Sequence, residues 1–218
     1  MPQLILTLCL LWSAQGSFVS TFAVDKTHLS STGSGDYFVL EPGYVLELAG
    51  GTTHLVITVL AETRVVDGVV TRVVEERETE KGALIEVSRN YFAIDPTTKD
   101  VYYFGEDVDM YTNGKVTSHE GSWLSGVKGA RFGLAMPGTP VMHQKYQQEV
   151  APGVAMDRAE IISVTSTLNT SAGTFANCVK TEETTPLEAG AKEYKLYAKG
   201  VGIVQDGDVK LVSRRRRS

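Results

Sequence analysis

The chain reads as an all-β protein: an antiparallel β-barrel, an open barrel or a two-sheet sandwich. Three observations predict this. From Tyr37 onward the sequence is a succession of β-branched and aromatic runs, each bounded by Gly, Pro, Asn or Asp. No window keeps a 3.6-residue apolar period over the length of a helix. The two halves of the chain also echo each other at an offset of 105 residues.

The elements follow in order. Pro42-Gly43 turns the chain into a strand at Tyr44–Ala49, and Thr53–Glu62 is a β-branched run. Val65-Val66-Asp67-Gly68-Val69-Val70 sets Asp-Gly between β-branched pairs. That pattern predicts a type I′ hairpin, whose two turn residues both need positive φ. Strands are expected at Leu84–Ile94, Val101–Gly105 and Lys115–Trp123, separated by Asp95-Pro96-Thr97-Thr98 and Asn113-Gly114. Tyr146–Val150, Ala159–Leu168, Thr174–Glu182, Glu193–Lys199, Ile203–Gln205 and Val209–Val212 complete the set.

In the echo, Gly68 falls on Gly173, Val74 on Val179, and Glu78-Thr79 on Glu183-Thr184. Tyr91-Phe92-Ala93 falls on Leu196-Tyr197-Ala198. An internal duplication of one strand meander is the expectation. Along Glu193–Lys199, Tyr194, Leu196 and Ala198 alternate with Lys195 and Tyr197, and strands alternate faces with period two. The apolar set is expected inside, which puts Arg89, Tyr91 and Ala93 inside in the first half. An inward arginine is costly unless it is paired or reaches water. Arg89 therefore implies a structural ion pair with Glu75 or Glu86, a strand end open to solvent, or a polar ligand cavity.

Charge and cysteine usage bound the function. The formal net charge is −5, and Arg214–Arg217 supply four of the 21 basic residues. The body is thus acidic, which argues against nucleic acid as a partner. Met1–Gln15 carries no charge, and Leu4–Trp12 is an apolar run of signal-peptide length, too short to cross a bilayer. Ala14-Gln15-Gly16 predicts cleavage before Ser17 and a secreted protein, extracellular or periplasmic, without a transmembrane segment. After cleavage Cys178 stands alone, so no internal disulfide is expected and the core must supply the stability. The domain boundaries read as signal peptide 1–16, linker 17–36, one β domain 37–212 and basic tail 213–218. Asn169-Thr170-Ser171 matches a glycosylation sequon in a turn.

Asn90–Trp123 is the densest run of aromatics and acids and the leading candidate for a site. Asp107 and Asp109, two apart, share a face if the strand is regular, and they are the candidate calcium ligands. Asp107, His119 and Glu120 are the candidate catalytic groups for acid–base chemistry. Neighbouring strand residues face opposite sides, however, so His119 and Glu120 could meet only at a bulge near Gly121. No HExxH, nucleophile elbow, phosphate loop or dinucleotide fingerprint occurs, so no cofactor is expected. Arg89, Tyr91, Tyr103, Tyr111 and Trp123 are the candidate ligand-binding residues, because phenol and indole donors can orient a mostly apolar guest. Alternation sets Tyr103 with Val101 and Gly105, and Tyr102 with Phe104. Ordinary β-core is the competing account of these aromatics.

Several segments carry a family resemblance: Val101–Asp107 (VYYFGED), Asn113–Val116 (NGKV), Glu120–Trp123 (EGSW), Met136-Pro137, Tyr146–Glu149 (YQQE), Gly153–Glu160 (GVAMDRAE) and Tyr197–Val204 (YAKGVGIV). Together they resemble secreted, β-rich bacterial proteins of unassigned function. The last segment is also similar to one in lipoprotein-carrier-like open barrels. The family's pattern has tryptophan where this chain has Tyr102. The resemblance implies secretion and a lipid- or ligand-binding barrel, and it brings no catalytic residues. The expected protein is a secreted binding protein holding a small, partly apolar or lipid-like ligand in a barrel. The alternatives are an acid–base enzyme of hydrolase or lyase type and a structural extracellular domain.

Overall fold

A computed structural model describes residues 16–216, and every regular element in it is a β-strand. The first half supplies β1 (Tyr44–Gly50), β2 (Thr53–Val66), β3 (Val69–Glu80), β4 (Ala83–Ile94) and β5 (Val101–Thr112). Then come β6 (Lys115–Ser118), β7 (Trp123–Leu124), β8 (Arg131–Met136), β9 (Lys145–Gln147) and β10 (Glu149–Val150). The second half supplies β11 (Arg158–Thr170), β12 (Gly173–Thr184), β13 (Glu193–Ala198), β14 (Gly202–Asp206) and β15 (Val209–Arg216). None of the described residues forms a helix long and apolar enough to cross a membrane.

All pairings between these strands are antiparallel, in the order β10-β8-β5-β4-β3-β2-β1-β15-β14-β13-β12-β11-β9. The two ends of that order, β9 and β10, are neighbours in the chain with only Gln148 between them. Lys145–Gln147 pairs with β11, and Glu149–Val150 pairs with β8. One short stretch thus joins both edges, and the sheet becomes a nearly closed barrel. Gly133 permits this closure. A Cβ added there would stand 2.3 Å from the carbonyl oxygen of Gln148, so the joining stretch could not pass so close.

The turn chemistry acts as expected. Asp67-Gly68 has φ of 51° and 80°, and Asn113-Gly114 has 53° and 74°, both type I′ conformations. Asp95 Oδ1 accepts hydrogen bonds from the backbone N–H groups of Thr97 and Thr98 and so fixes the third turn. Lys81-Gly82, with φ of 50° and 79°, makes a further turn of this kind that the sequence did not advertise. Moving β2 and β3 along the chain by 105 residues lands each within one residue of β11 and β12. The strand layout therefore follows the echo.

The face assignment, by contrast, is inverted. Lys195 and Tyr197 of β13 look into the barrel, not Tyr194, Leu196 and Ala198. On β4 the inner residues are Glu86, Ser88, Asn90 and Phe92, so Arg89 and Tyr91 lie on the outer face. The echo itself holds, since Asn90 and Phe92 match Lys195 and Tyr197. What fails is the premise that the apolar face must be the inner one. Here the outer face is also covered, and Leu196, Ala198, Tyr91 and Ala93 are buried there.

Part of that cover is Ser17–Asp36, expected as a partly ordered linker. It lies against the barrel as an irregular strap. Val19 N–H donates to Lys145 O at 3.1 Å, Gln147 N–H donates to Val19 O at 2.8 Å, and Ser30 pairs with Ile94. Arg72, buried among carbonyls, donates to Ser31 O at 2.9 Å and Ala61 O at 2.7 Å and so ties the strap to β2. Phe22 packs edge-on against Tyr102, and Phe38 lies 5.0 Å from Phe92. The expected basic tail is likewise part of the fold. Arg214, Arg215 and Arg216 pair with Leu46, Val45 and Tyr44 on β1. The expected signal peptide falls, but for Gly16, outside the described residues.

Candidate functional site

The barrel holds a partly open cavity of about 300 Å³. Its lining changes along the barrel axis. On β4 it runs from Glu86 through Ser88 and Asn90 to Phe92. The partners across the sheet keep the same order, Glu76 opposite Ser88 and Val74 opposite Asn90. On β14 and β13, Asp206 and Lys195 pair at the acidic level, and Ile203 and Tyr197 pair at the apolar level. Phe38, Tyr44, Val59 and Val201 complete the apolar end. A cavity graded in this way complements a molecule with one polar and one apolar end.

Gly105 determines the composition of the acidic part on β5. It has φ of 140°, and two residues, Phe104 and Gly105, stand opposite Tyr91 alone between the pairs Asn90–Glu106 and Phe92–Tyr103. This bulge advances the alternation by one position. Tyr103 therefore shares its face with Glu106 instead of Gly105, and both line the cavity. A Cβ at residue 105 would stand 2.4 Å from Trp123 O, so a larger residue would collide with β7.

The lining holds one cationic side chain, Lys195, against Glu76, Glu86, Glu106, Glu149, Asp157, Glu183 and Asp206. Lys195 Nζ is already committed, at 3.4 Å from both Glu183 and Asp206. Burial opposes its charge, but those two carboxylates more than offset that and hold its pKa well above the usual lysine range. Glu149, 4% exposed, accepts one bond from the Asp157 N–H at 2.7 Å. Glu183 accepts from Gln148 Nε2 at 3.1 Å. Among the described residues, no hydrogen bond or ion pair reaches the carboxylates of Glu76, Glu86 or Glu106.

Their titration reflects this. Burial, reinforced by the charge of Asp206, pushes Glu76 up to about 7. Burial also pushes Glu106 up to about 7. Tyr103 Oη donates to Asn90 Oδ1 at 2.6 Å, and Trp123 Nε1 has no acceptor in bonding geometry. Both donors still lie close enough to Glu106 to hold it below where burial alone would put it. Glu149 rises well above the carboxylate range, first by burial and then by the charge of Asp157. Glu86 rises through burial and the charge of Glu78.

The sequence-derived candidates divide. Tyr103 lines the cavity, and Trp123 stands behind it, edge-on at 5.3 Å. Trp123 also lines a second depression of about 280 Å³ with Leu124, Val127 and Ala151. Arg89 lies outside and pairs with Glu75 at 3.2 Å and Asp109 at 3.5 Å, as its structural reading anticipated. Tyr91 is buried on the outer face, where it donates to Asp107 at 2.7 Å beneath Arg64. Tyr111, half-buried on β5, lines neither hollow.

The acid–base candidates do not converge. Asp107 is held by Arg64 and Tyr91, while His119 pairs with Asp109 at 2.9 Å. Glu120 is exposed in the loop before β7. Asp107 and Asp109 thus serve separate networks, and no group of three or more His, Cys, Asp or Glu among the described residues is arranged to hold a metal ion. Cys178 is buried, and burial raises its pKa.

The sequence reading overlooked Glu76, Glu86, Glu149, Glu183, Lys195 and Asp206 as site residues. One signal for them exists. Glu75-Glu76 and Glu182-Glu183 are adjacent acids within strands, and alternation must turn one of each pair inward. No protein-family model, curated protein or solved structure matches the chain.

Proposed function

We propose that this is a binding protein that holds a small, partly apolar molecule inside its β-barrel. The supporting observation is the partly open cavity of about 300 Å³, apolar at the Phe92 end and lined with carboxylates at the Glu76 end. A cavity of this size lies at the small end of the range for ligand sites. Unfilled apolar wall and unpaired buried polar groups both cost stability, so a cavity with both has its best partner in a guest that contacts the two ends. The segment that follows the strap fits this role, because Phe38 and Val39 contribute to the apolar end from outside the sheet. We propose an extracellular or periplasmic site of action, on the strength of the uncharged apolar run Leu4–Trp12.

Native mass spectrometry of freshly purified protein tests the binding reading. The expected result is a mass excess that disappears on denaturation. A clean apo mass, with no thermal shift from any small amphiphile, would reject it. N-terminal sequencing of exported protein, expected to begin at Ser17, tests the proposed location.

A further inference from the structure

We infer that the cavity takes an organic ammonium ion, an amine on an aryl or alkyl body, with its cationic head among Glu76, Glu106 and Glu149. This rests on the binding reading above and specifies the charge of the guest.

The argument begins with the count of charges inside. Seven carboxylates and one lysine line the cavity, and Lys195 is engaged by Glu183 and Asp206. Glu76 has no hydrogen-bond or ion-pair partner among the described residues, and Glu106 has only the nearby Tyr103 and Trp123 donors, neither in full bonding geometry. The two glutamates lie near enough to feel each other's charge, and Glu149 feels that of Glu106. A single added positive charge at this point would relieve several repulsions together. Among the described residues the cation whose charge reaches Glu76 is Lys195, which Glu183 and Asp206 already engage.

Two buried acceptors make the same point independently. Glu149 is 4% exposed, lines the cavity and has only the Asp157 N–H as a partner. Gln148 also lines the cavity; its Nε2 is used by Glu183, and its buried Oε1 has no donor. Buried acceptors of this kind are usually satisfied, so these two ask for N–H groups from a guest. An ammonium head brings two or three donors and the missing charge in one group. A metal ion is the competing cation, but the described carboxylates do not form a coordinating group. The apolar end, with Phe92, Val59 and Tyr197 beyond the acidic level, requires the cation to carry a hydrocarbon body.

The inference also carries a proton. Glu76 and Glu106, pushed up to about 7, are part-protonated in the empty barrel near neutrality. An arriving cation lowers both and displaces protons, so binding strengthens as pH rises through 7. The groups that face this head are Glu86 on β4, Tyr103 on β5, Glu183 on β12, Lys195 on β13 and Asp206 on β14, with Asp157 from the loop before β11.

The test is calorimetric titration at pH 8 with three probes of similar shape: 2-phenylethylamine, 2-phenylethanol and 3-phenylpropionate. The amine is expected to bind about tenfold or more tighter than the alcohol, and the carboxylate not at all. Glu76→Gln and Glu106→Gln should each weaken the amine about tenfold and leave the alcohol unchanged. Titrations in two buffers of different ionisation enthalpy should report proton release at pH 7. Equal binding of amine and alcohol, or amine affinity indifferent to both substitutions, would overturn the cation while leaving a binding barrel. Failure of all three probes, together with a clean native mass, would sink both readings.

Discussion

Tyr103 and Glu106 lie three residues apart on β5 and yet face the same cavity. In a regular strand they would point to opposite sides. Gly105 reconciles them by absorbing one extra residue at φ of 140°, beneath the β7 backbone.

Gly105→Ala should therefore be one of the more damaging small substitutions in the chain. It adds a methyl group 2.4 Å from Trp123 O, in a backbone conformation that L residues rarely adopt. We expect a loss of about 2–4 kcal/mol in urea denaturation, from strain and displacement of β7 together. A loss under about 0.5 kcal/mol would mean that the bulge does not depend on glycine.

Much of the fold was legible because it rests on local chemistry. Asp67-Gly68 and Asn113-Gly114 can turn only in a few ways, and β-branched runs between them leave little choice but strands. The interior was not legible, for a physical reason. Hydrophobic alternation identifies a buried face, but here both faces of β4 and β13 are covered, one by the rest of the barrel and one by other chain. The rule that apolar means inside then has no purchase, and it selected Tyr194 and Leu196 over Lys195 and Tyr197. The bulge hid Glu106 in the same way, since a period of two carried across Gly105 places it on the wrong face. The strap escaped notice because its contacts, such as Arg72 with Ser31 O, join residues 41 apart and leave no local pattern.

Lys195 gives a second prediction. It is the one cation on the cavity wall, with Glu183 and Asp206 each 3.4 Å away. Lys195→Met keeps most of the stem but leaves two carboxylates facing each other without compensation. Removing one partner of a buried ionic cluster typically costs about 3–5 kcal/mol, and we expect the lower part of that range. A drop below about 1 kcal/mol at pH 8 would show that water satisfies those carboxylates.

The pH dependence has a definite sign. Glu76 and Glu106 have folded-state pKa values raised from 4.5 to about 7. Their contribution to stability is present below the unfolded value and is lost as pH rises through about 7. The empty protein should thus melt higher at pH 6 than at pH 8. Glu47 and Glu182 behave oppositely, lowered chiefly by hydrogen bonds from Arg215 and Lys192, so stability should fall again below about pH 4. Glu76→Gln at pH 8 should stabilise the empty barrel by about 1–3 kcal/mol and flatten the slope between pH 6 and 8. A slope unchanged by Glu76→Gln and by Glu106→Gln would reject this account.

His119 and Glu120, the acid–base candidates from the sequence, should be nearly silent in stability. His119 meets Asp109 with most of its side chain in water, and Glu120 is exposed. Such exposed pairs contribute about 0–1 kcal/mol. His119→Ala and Glu120→Gln are expected to move the unfolding free energy by less than about 1 kcal/mol and to leave ligand affinity unchanged. A larger effect on affinity would return this loop to the site.

The arginine-rich end separates charge from backbone pairing. Ser213 to Arg216 pairs with Glu47 to Tyr44, and Tyr44 and Leu46 both line the cavity. Truncation after Val212 removes the β15 side of those pairs and leaves that part of β1 as a free edge under the apolar end. We expect a loss of about 2 kcal/mol or more, with weakened ligand retention. Arg215→Gln keeps the backbone and removes only the partly exposed ion pair with Glu47, so it should cost less than about 1 kcal/mol. If both variants match the parent in urea denaturation, the arginines form a dispensable tail. If the truncation alone is damaging, the last strand acts through its ladder, and the barrel needs it to hold Tyr44 and Leu46 against the guest.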